Sequence, residues 1–306
     1  MLTFSPRENT SYSVTTYALN QLLYPTSGYK SETGGRLAEL RSSCSHSKVA
    51  AYHRRFYRPS GVRLLVAGDV PPERLLAALE GVHASVAAKG ASFWPAADDG
   101  GRAWATPAPP MERSASIEVE FPSGDEENGV VRAGWLTSAF GDAYTRSALH
   151  VLLEYLTDTS VSELQMALVE CDPPLACAVY GSIDEAQPVC VTLTADGVPT
   201  AKLRDALPAL HAALRAFATG TSPFDGRRMA STVARARLSA LDAAESRPED
   251  VLSSAAIPAF VHAPGGEAGA AALRDALNAI PRLDRLASEP PSFWTDLCDR
   301  TLGALV

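Results

Sequence analysis

Ser116-Ile117-Glu118-Val119-Glu120-Phe121, then Asp125-Glu126-Glu127-Asn128-Gly129, then Val130-Val131-Arg132-Ala133-Gly134-Trp135-Leu136: the class of the fold is decided here. The first segment alternates apolar and polar residues with the period of a half-buried strand, and the acidic run ending in Asn-Gly is turn chemistry. The spacing predicts a β-hairpin of 116–121 with 130–136. The period then changes. Ala148, Leu149, Leu152, Leu153 and Leu156 fall on one side of a helix expected over 142–157. A short helix follows at Glu163–Val169, then two strands, 176–182 and 189–195, around an acidic turn. From there helices are expected over 200–218, 225–245, 249–261, 267–279 and 291–304, with Pro248, Pro281 and Pro290-Pro291 as punctuation. Strands followed by packed helices give an α+β fold, a mostly antiparallel sheet with helices over one face.

Upstream lies a second block. A helix is expected over 12–23, with Tyr12, Thr15, Leu19, Leu22 and Leu23 near one stripe, and Tyr24-Pro25 closes it. A short helix carries Leu37 and Leu40. Val49, Tyr52, His53 and Phe56 have helical spacing within 46–57, and Arg58-Pro59-Ser60-Gly61 ends that helix. Val62-Arg63-Leu64-Leu65-Val66-Ala67 reads as a strand, Gly68-Asp69 as a turn, and Pro71–Lys89 as an Ala/Leu-rich helix. Pro95, Pro107, Pro109 and Pro110 interrupt an aperiodic stretch. The chain is therefore expected to divide into 1–95, a linker at 96–114, and a second domain at 115–306.

The 306 residues allow two domains, and 46% hydrophobic with 20% charged residues is the profile of a soluble globular protein. Asp and Glu number 35 against 27 Lys and Arg, a net charge of −8. That balance argues against sequence-independent nucleic-acid binding, which needs a basic face, and against attraction to an anionic membrane. No apolar run reaches the ~18 residues of a spanning helix. Met1–Asn20 has neither a basic nor an apolar signal region, so a cytoplasmic location is expected. A mitochondrial one would require a targeting segment upstream. Five scattered cysteines, without a Cys-x-x-Cys pair, are expected to be reduced and mostly buried.

The chemistry-bearing motifs are largely missing. The chain spells no Gly-x-Gly-x-x-Gly, no phosphate-cradling Gly-x-x-x-x-Gly-Lys and no Gly-x-Ser-x-Gly. His46 and His53 share a helix face, but no glutamate lies between them to serve as general base, so they read as surface or packing residues. The carboxylates at 125–127 lack the spacing of a calcium loop and read as a solvated turn. Arg227, Arg228, Arg235 and Arg237 read as a solvated basic stripe, and Gly34-Gly35 as a helix-entry turn. No catalytic, cofactor-binding or metal-binding residue is nominated.

A set of phrases, in order, resembles the pitrilysin/insulinase (inverzincin) family of zinc metallopeptidases, most closely its presequence-protease-like branch. They are Arg7-Glu8-Asn9-Thr10-Ser11, Leu23-Tyr24-Pro25, Ser27–Gly35, Tyr52-His53-Arg54-Arg55-Phe56-Tyr57-Arg58-Pro59 and Leu64-Leu65-Val66-Ala67-Gly68-Asp69-Val70. Phe121-Pro122-Ser123-Gly124-Asp125-Glu126, Tyr155-Leu156-Thr157-Asp158, Arg228-Met229 and Phe293-Trp294 continue the series. The resemblance implies α/β units that enclose a peptide-sized chamber. In that scheme 1–95 is the later part of a zinc-bearing unit and 115–306 a complete, non-catalytic one. It also implies a zinc site of His-x-x-Glu-His plus a later glutamate, which this sequence does not spell. The third ligand's place falls near Thr3, which cannot act as a carboxylate, and Glu8 matches a supporting acidic position. The expectation is a truncated or partial family member, inactive alone, with zinc a cofactor of the family and not of this chain. Peptides or another peptidase-family chain are its expected partners. The sheet of the first block would then lack strands, leaving 62–67 and its helices with exposed apolar surface.

Overall fold

The computed structural model describes residues 10–31, 36–59, 62–90, 107–109, 111, 113–137, 140–263 and 266–303. In chain order α1 is Ser11–Leu23, α2 Leu37–Ser42, α3 His46–Phe56 and α4 Pro72–Ala88. There follow β1 (Asn128–Leu136), α5 (Ala143–Thr157), α6 (Glu163–Leu168), β2 (Ala178–Asp184) and β3 (Cys190–Pro199). The helices α7 (Leu203–Ala218), α8 (Gly226–Ser246), α9 (Pro248–His262), α10 (Glu267–Leu277), α11 (Ala279–Leu286) and α12 (Pro291–Cys298) complete the chain.

The sheet has the order β1-β3-β2 and is antiparallel throughout. The long third strand is therefore central. On the central strand Thr194 stands opposite Arg132 on one side and Tyr180 on the other, and Thr192 opposite Gly134 and Ser182. Alternation sends Ala133, Trp135, Val179, Val191, Leu193 and Ala195 to one face, where they are buried with α5 and α7. The expected stripe of α5 lies in that core: Ala148, Leu149, Leu152 and Leu156 are fully buried. From α7, Ala206, Leu210, Leu214 and Phe217 enter at spacings of three and four, and α12 adds Trp294, Leu297 and Cys298.

The opposite face carries α1. Leu19 and Leu23 lie over Gly134, where an added Cβ would come within 2.9 Å of Leu19 Cδ2 and 3.1 Å of Leu23 Cδ1. Only glycine lets the helix approach this closely. Arg132 fastens the other end: its Nε donates to Thr194 Oγ1 at 3.1 Å, Nη1 to Thr16 Oγ1, and its guanidinium lies 4.2 Å from the Tyr12 ring centre. Thr10 caps α1 by accepting from the Ser13 amide.

Two expected strands did not form. Segment 116–121 has no ladder bonds, and β1 pairs with β3 instead, a partner more than fifty residues downstream. Segment 62–67 is extended and joins no ladder with another strand among the described residues. Conversely, α11 forms where Pro281 had been read as a break. Proline stands there in the first turn, where its amide would have had no helical partner. The linker expected at 96–114 falls mostly outside the described residues.

Candidate functional site

Histidine and carboxylate positions were the first candidates. His53 stacks on Tyr57, ring centres 4.8 Å apart, and Tyr52 packs on Phe56 at 4.5 Å, as expected of packing residues along α3. His150, His211 and His262 are held below the ordinary imidazole range chiefly by burial. Among the described residues no three His, Cys, Asp or Glu side chains converge as a metal cage. Thr3, Glu8 and Gly34-Gly35 lie outside those residues.

The acidic turn spends its leading carboxylate on its own backbone. Asp125 Oδ1 accepts from the amides of Glu127 and Asn128 at 2.9 and 3.1 Å, and Oδ2 from Asn128 Nδ2 at 3.1 Å. Those bonds, that from the Asn128 side chain most, hold its carboxyl below the usual range. The cysteines depart from expectation. Only Cys190 and Cys298 are buried, their thiols pushed up to about 12 by burial, whereas Cys44 and Cys177 are exposed.

The basic stripe on α8 is also corrected. Arg228 is no solvated residue: Nη2 meets both carboxylate oxygens of Glu163 at 2.7 and 2.8 Å, with side-chain exposures of 15% and 8%. Nη1 donates to Ser162 Oγ at 3.1 Å and to the Tyr155 carbonyl, and the guanidinium stacks 3.5 Å from the Tyr155 ring centre. Tyr155 OH accepts from the amide of Asp225, whose carboxylate caps α8. Arg235 reaches Asp158 on α5's cap and Arg237 reaches Asp284 on α11. Arg228, Arg235 and Arg237 thus tie α8 to its neighbours, while Arg227 is exposed as expected. Sequence reading missed these ties because each acidic partner lies tens of residues away.

A cleft of about 370 Å³ opens at the start of α5, bounded by Asp142, Tyr144, Asp275, Arg282 and Arg285. Its charges cancel, and Arg282 is spent on the Asp275 and Ala276 carbonyls and on Ser147 Oγ. Behind it lies Arg146, 7% exposed, with Nε 3.4 Å from Glu185 Oε1 and its guanidinium over Phe140.

The largest unsatisfied feature is a surface. No described residue from 36 to 90 is buried. Yet twelve of the large exposed hydrophobics lie there, among them Tyr52, Phe56, Leu64, Leu65 and Val66. Scattered exposed apolar residues need no explanation, but this stretch concentrates them while burying none of its described residues.

The sheet β1-β3-β2, with α5 and α7 on one face and α1 on the other, defines an α+β domain. The chain belongs to the M16 peptidase family: residues 43–221 match the family's description "Peptidase M16 inactive domain". It is 29% identical over 286 residues to an uncharacterised protein of Caenorhabditis elegans, covering 93% of this chain and 28% of that protein. An uncharacterised protein of Schizosaccharomyces pombe is 32% identical over 211 residues, 65% of this chain and 20% of its own length. The chain thus spans 20% to 28% of the length of the curated relatives it matches. Among solved structures, a protease from Helicobacter pylori superposes with a TM-score of 0.70 at 16% identity, over 96% of this chain and 64% of that one. The peptidase M16 inactive domain from Pseudomonas fluorescens gives 0.60 at 15%, over 96% and 63%. Likeness at these identities concerns the fold.

Proposed function

We propose that this chain is a non-catalytic wall unit of a pitrilysin/insulinase-type peptidase of the presequence-protease-like branch, and that it works against a zinc-bearing peptidase unit. One observation carries the reading: the described residues of 36–90 expose many aliphatic and aromatic side chains and bury none. Covering the exposed part of such side chains is favourable at roughly 25 cal/mol per Å² of apolar surface, set against the freedom that association costs. Segment 62–67 is extended and joins no ladder among the described residues, the conformation that a neighbouring strand would extend. The family's assignment of this unit as inactive agrees with a supporting role in peptide hydrolysis. Peptide contact, when it occurs, belongs to the assembled chamber, and the cytoplasm is the compartment proposed for it.

The test is reconstitution. The whole chain is mixed with a zinc-loaded M16 polypeptide bearing His-x-x-Glu-His, and peptide cleavage, zinc content and complex formation are followed. Alone, the chain should cleave no peptide. In the mixture it should form a one-to-one complex that Leu64→Asp with Val66→Asp abolishes. Zinc-dependent cleavage by the chain alone would overturn the non-catalytic reading. A stable monomer whose 62–67 amides resist hydrogen exchange would overturn the docking one.

A further inference from the structure

Two buried polar atoms without a hydrogen-bond partner belong to residues that share their neighbours. Arg146 Nη1 and His262 Nδ1 are both sealed from solvent and unpaired, although buried polar groups are as a rule satisfied. Both residues hold Glu185: Arg146 Nε faces its carboxylate at 3.4 Å, and His262 Nε2 its backbone carbonyl at 2.8 Å. Both also pack on Phe140, at 4.3 Å for the guanidinium and 4.9 Å for the imidazole. A carbonyl only accepts, so Nε2 carries the proton, and Nδ1 of the neutral ring presents a lone pair. Arg146 Nη1 presents an N–H. A single molecule that accepts from the guanidinium and donates to the imidazole satisfies both, and water does this at the least volume.

We propose that Arg146 and His262 hold one bridging water and form a proton-operated latch, which keeps the end of α9 on the β2–β3 turn while His262 is neutral and releases it when the ring takes a second proton. The second proton turns Nδ1 into a donor beside a guanidinium, and Glu185 is the acid that contacts both residues. The other charges in reach do not offset this. Asp142 at the start of α5 and Asp275 on α10 act on Arg146, and Arg282 on α11 opposes them. Arg63 adds a further cation over the Phe260 ring, two residues before His262. Burial already lowers the proton affinity of His262, Arg146 lowers it further, and the Glu185 carbonyl opposes both. The sign follows. The closed ring resists a proton that the released ring accepts near pH 6.5, so release is favoured as pH falls below that value.

Hydrogen exchange of the full chain between pH 7.5 and 5, corrected for intrinsic rates, tests the latch. Protection of α9 should fall relative to α7 as pH drops below about 6.5, by at most about tenfold per pH unit. His262→Phe, which keeps a ring against Phe140, should flatten that slope, and Arg146→Met, which removes a cation that lowers the closed ring's proton affinity, should shrink the total loss without moving its onset. Protection of α9 that tracks α7 in the wild type overturns the latch, with no variant required. So does a slope that survives in His262→Phe. A crystal structure should show one water bonded to both Nη1 and Nδ1, and direct contact between the two nitrogens would overturn the hydration site.

Discussion

Phe56 and Phe217 carry the same side chain, yet one is 43% exposed and the other fully buried. Phe56 stands in a block whose helices α3 and α4 pack on no sheet. Phe217 stands on a helix laid across three paired strands, against the Tyr155 and Phe224 rings at 5.7 and 6.2 Å. Helical periodicity was equally clear in both places. The difference is therefore not in local sequence but in whether a complementary surface lies within reach. Amphipathic helices state that they need cover without stating where it is.

The comparison breaks most severely under protease. Limited digestion of the chain should cut within 36–90 first and leave 115–303 as a resistant fragment, since local opening there costs little against a global stability of about 5–15 kcal/mol. Resistance of 1–95 with loss of 115–303 would reverse the assignment of strong and weak regions. Next in size, Phe217→Ala should cost about 3–5 kcal/mol in denaturant unfolding, whereas Phe56→Ala in the isolated chain should stay within about 0.5. Equal costs would mean that the 36–90 block is packed after all. Arg228→Met removes the cation from a carboxylate only 8% exposed and should cost about 3–5 kcal/mol, with most of the loss regained when Glu163→Leu is added. The smallest effect concerns the back of the sheet. Gly134→Val drives a side chain into Leu19 and Leu23 and should cost about 1–3 kcal/mol, read as faster exchange of α1 amides with α5 unchanged.

Much of the fold was legible. The Leu stripe of α5, the α1 stripe and the switch from strand to helix period lie in short windows, and side chains three or four apart meet because the helix brings them together. Pairings across the chain were not. The turn at 125–129 pointed to a local hairpin, and Arg228 on its own helix looked like solvated charge; β3 and Glu163, their real partners, are invisible to any local window. The Val62–Ala67 run spelled a strand correctly as composition, but a strand is a relation between two segments. At the latch, His262 carried no motif at all. Its meaning comes from Glu185 and Arg146, neither of them close in sequence.

The order β1-β3-β2 also sets a schedule. The strand that bonds to both others is the last of the three to leave the ribosome. Until Pro199 has been made, β1 and β2 have no ladder partner. At roughly 5–20 residues per second they wait for seconds with unpaired amides and apolar faces uncovered. α5, whose helical hydrogen bonds are local, can form in that interval, but its leucines stay uncovered until the sheet closes as a single late event around β3. Nascent chains arrested just before Cys190 should therefore engage chaperones strongly, and chains arrested well past Pro199 should let them go.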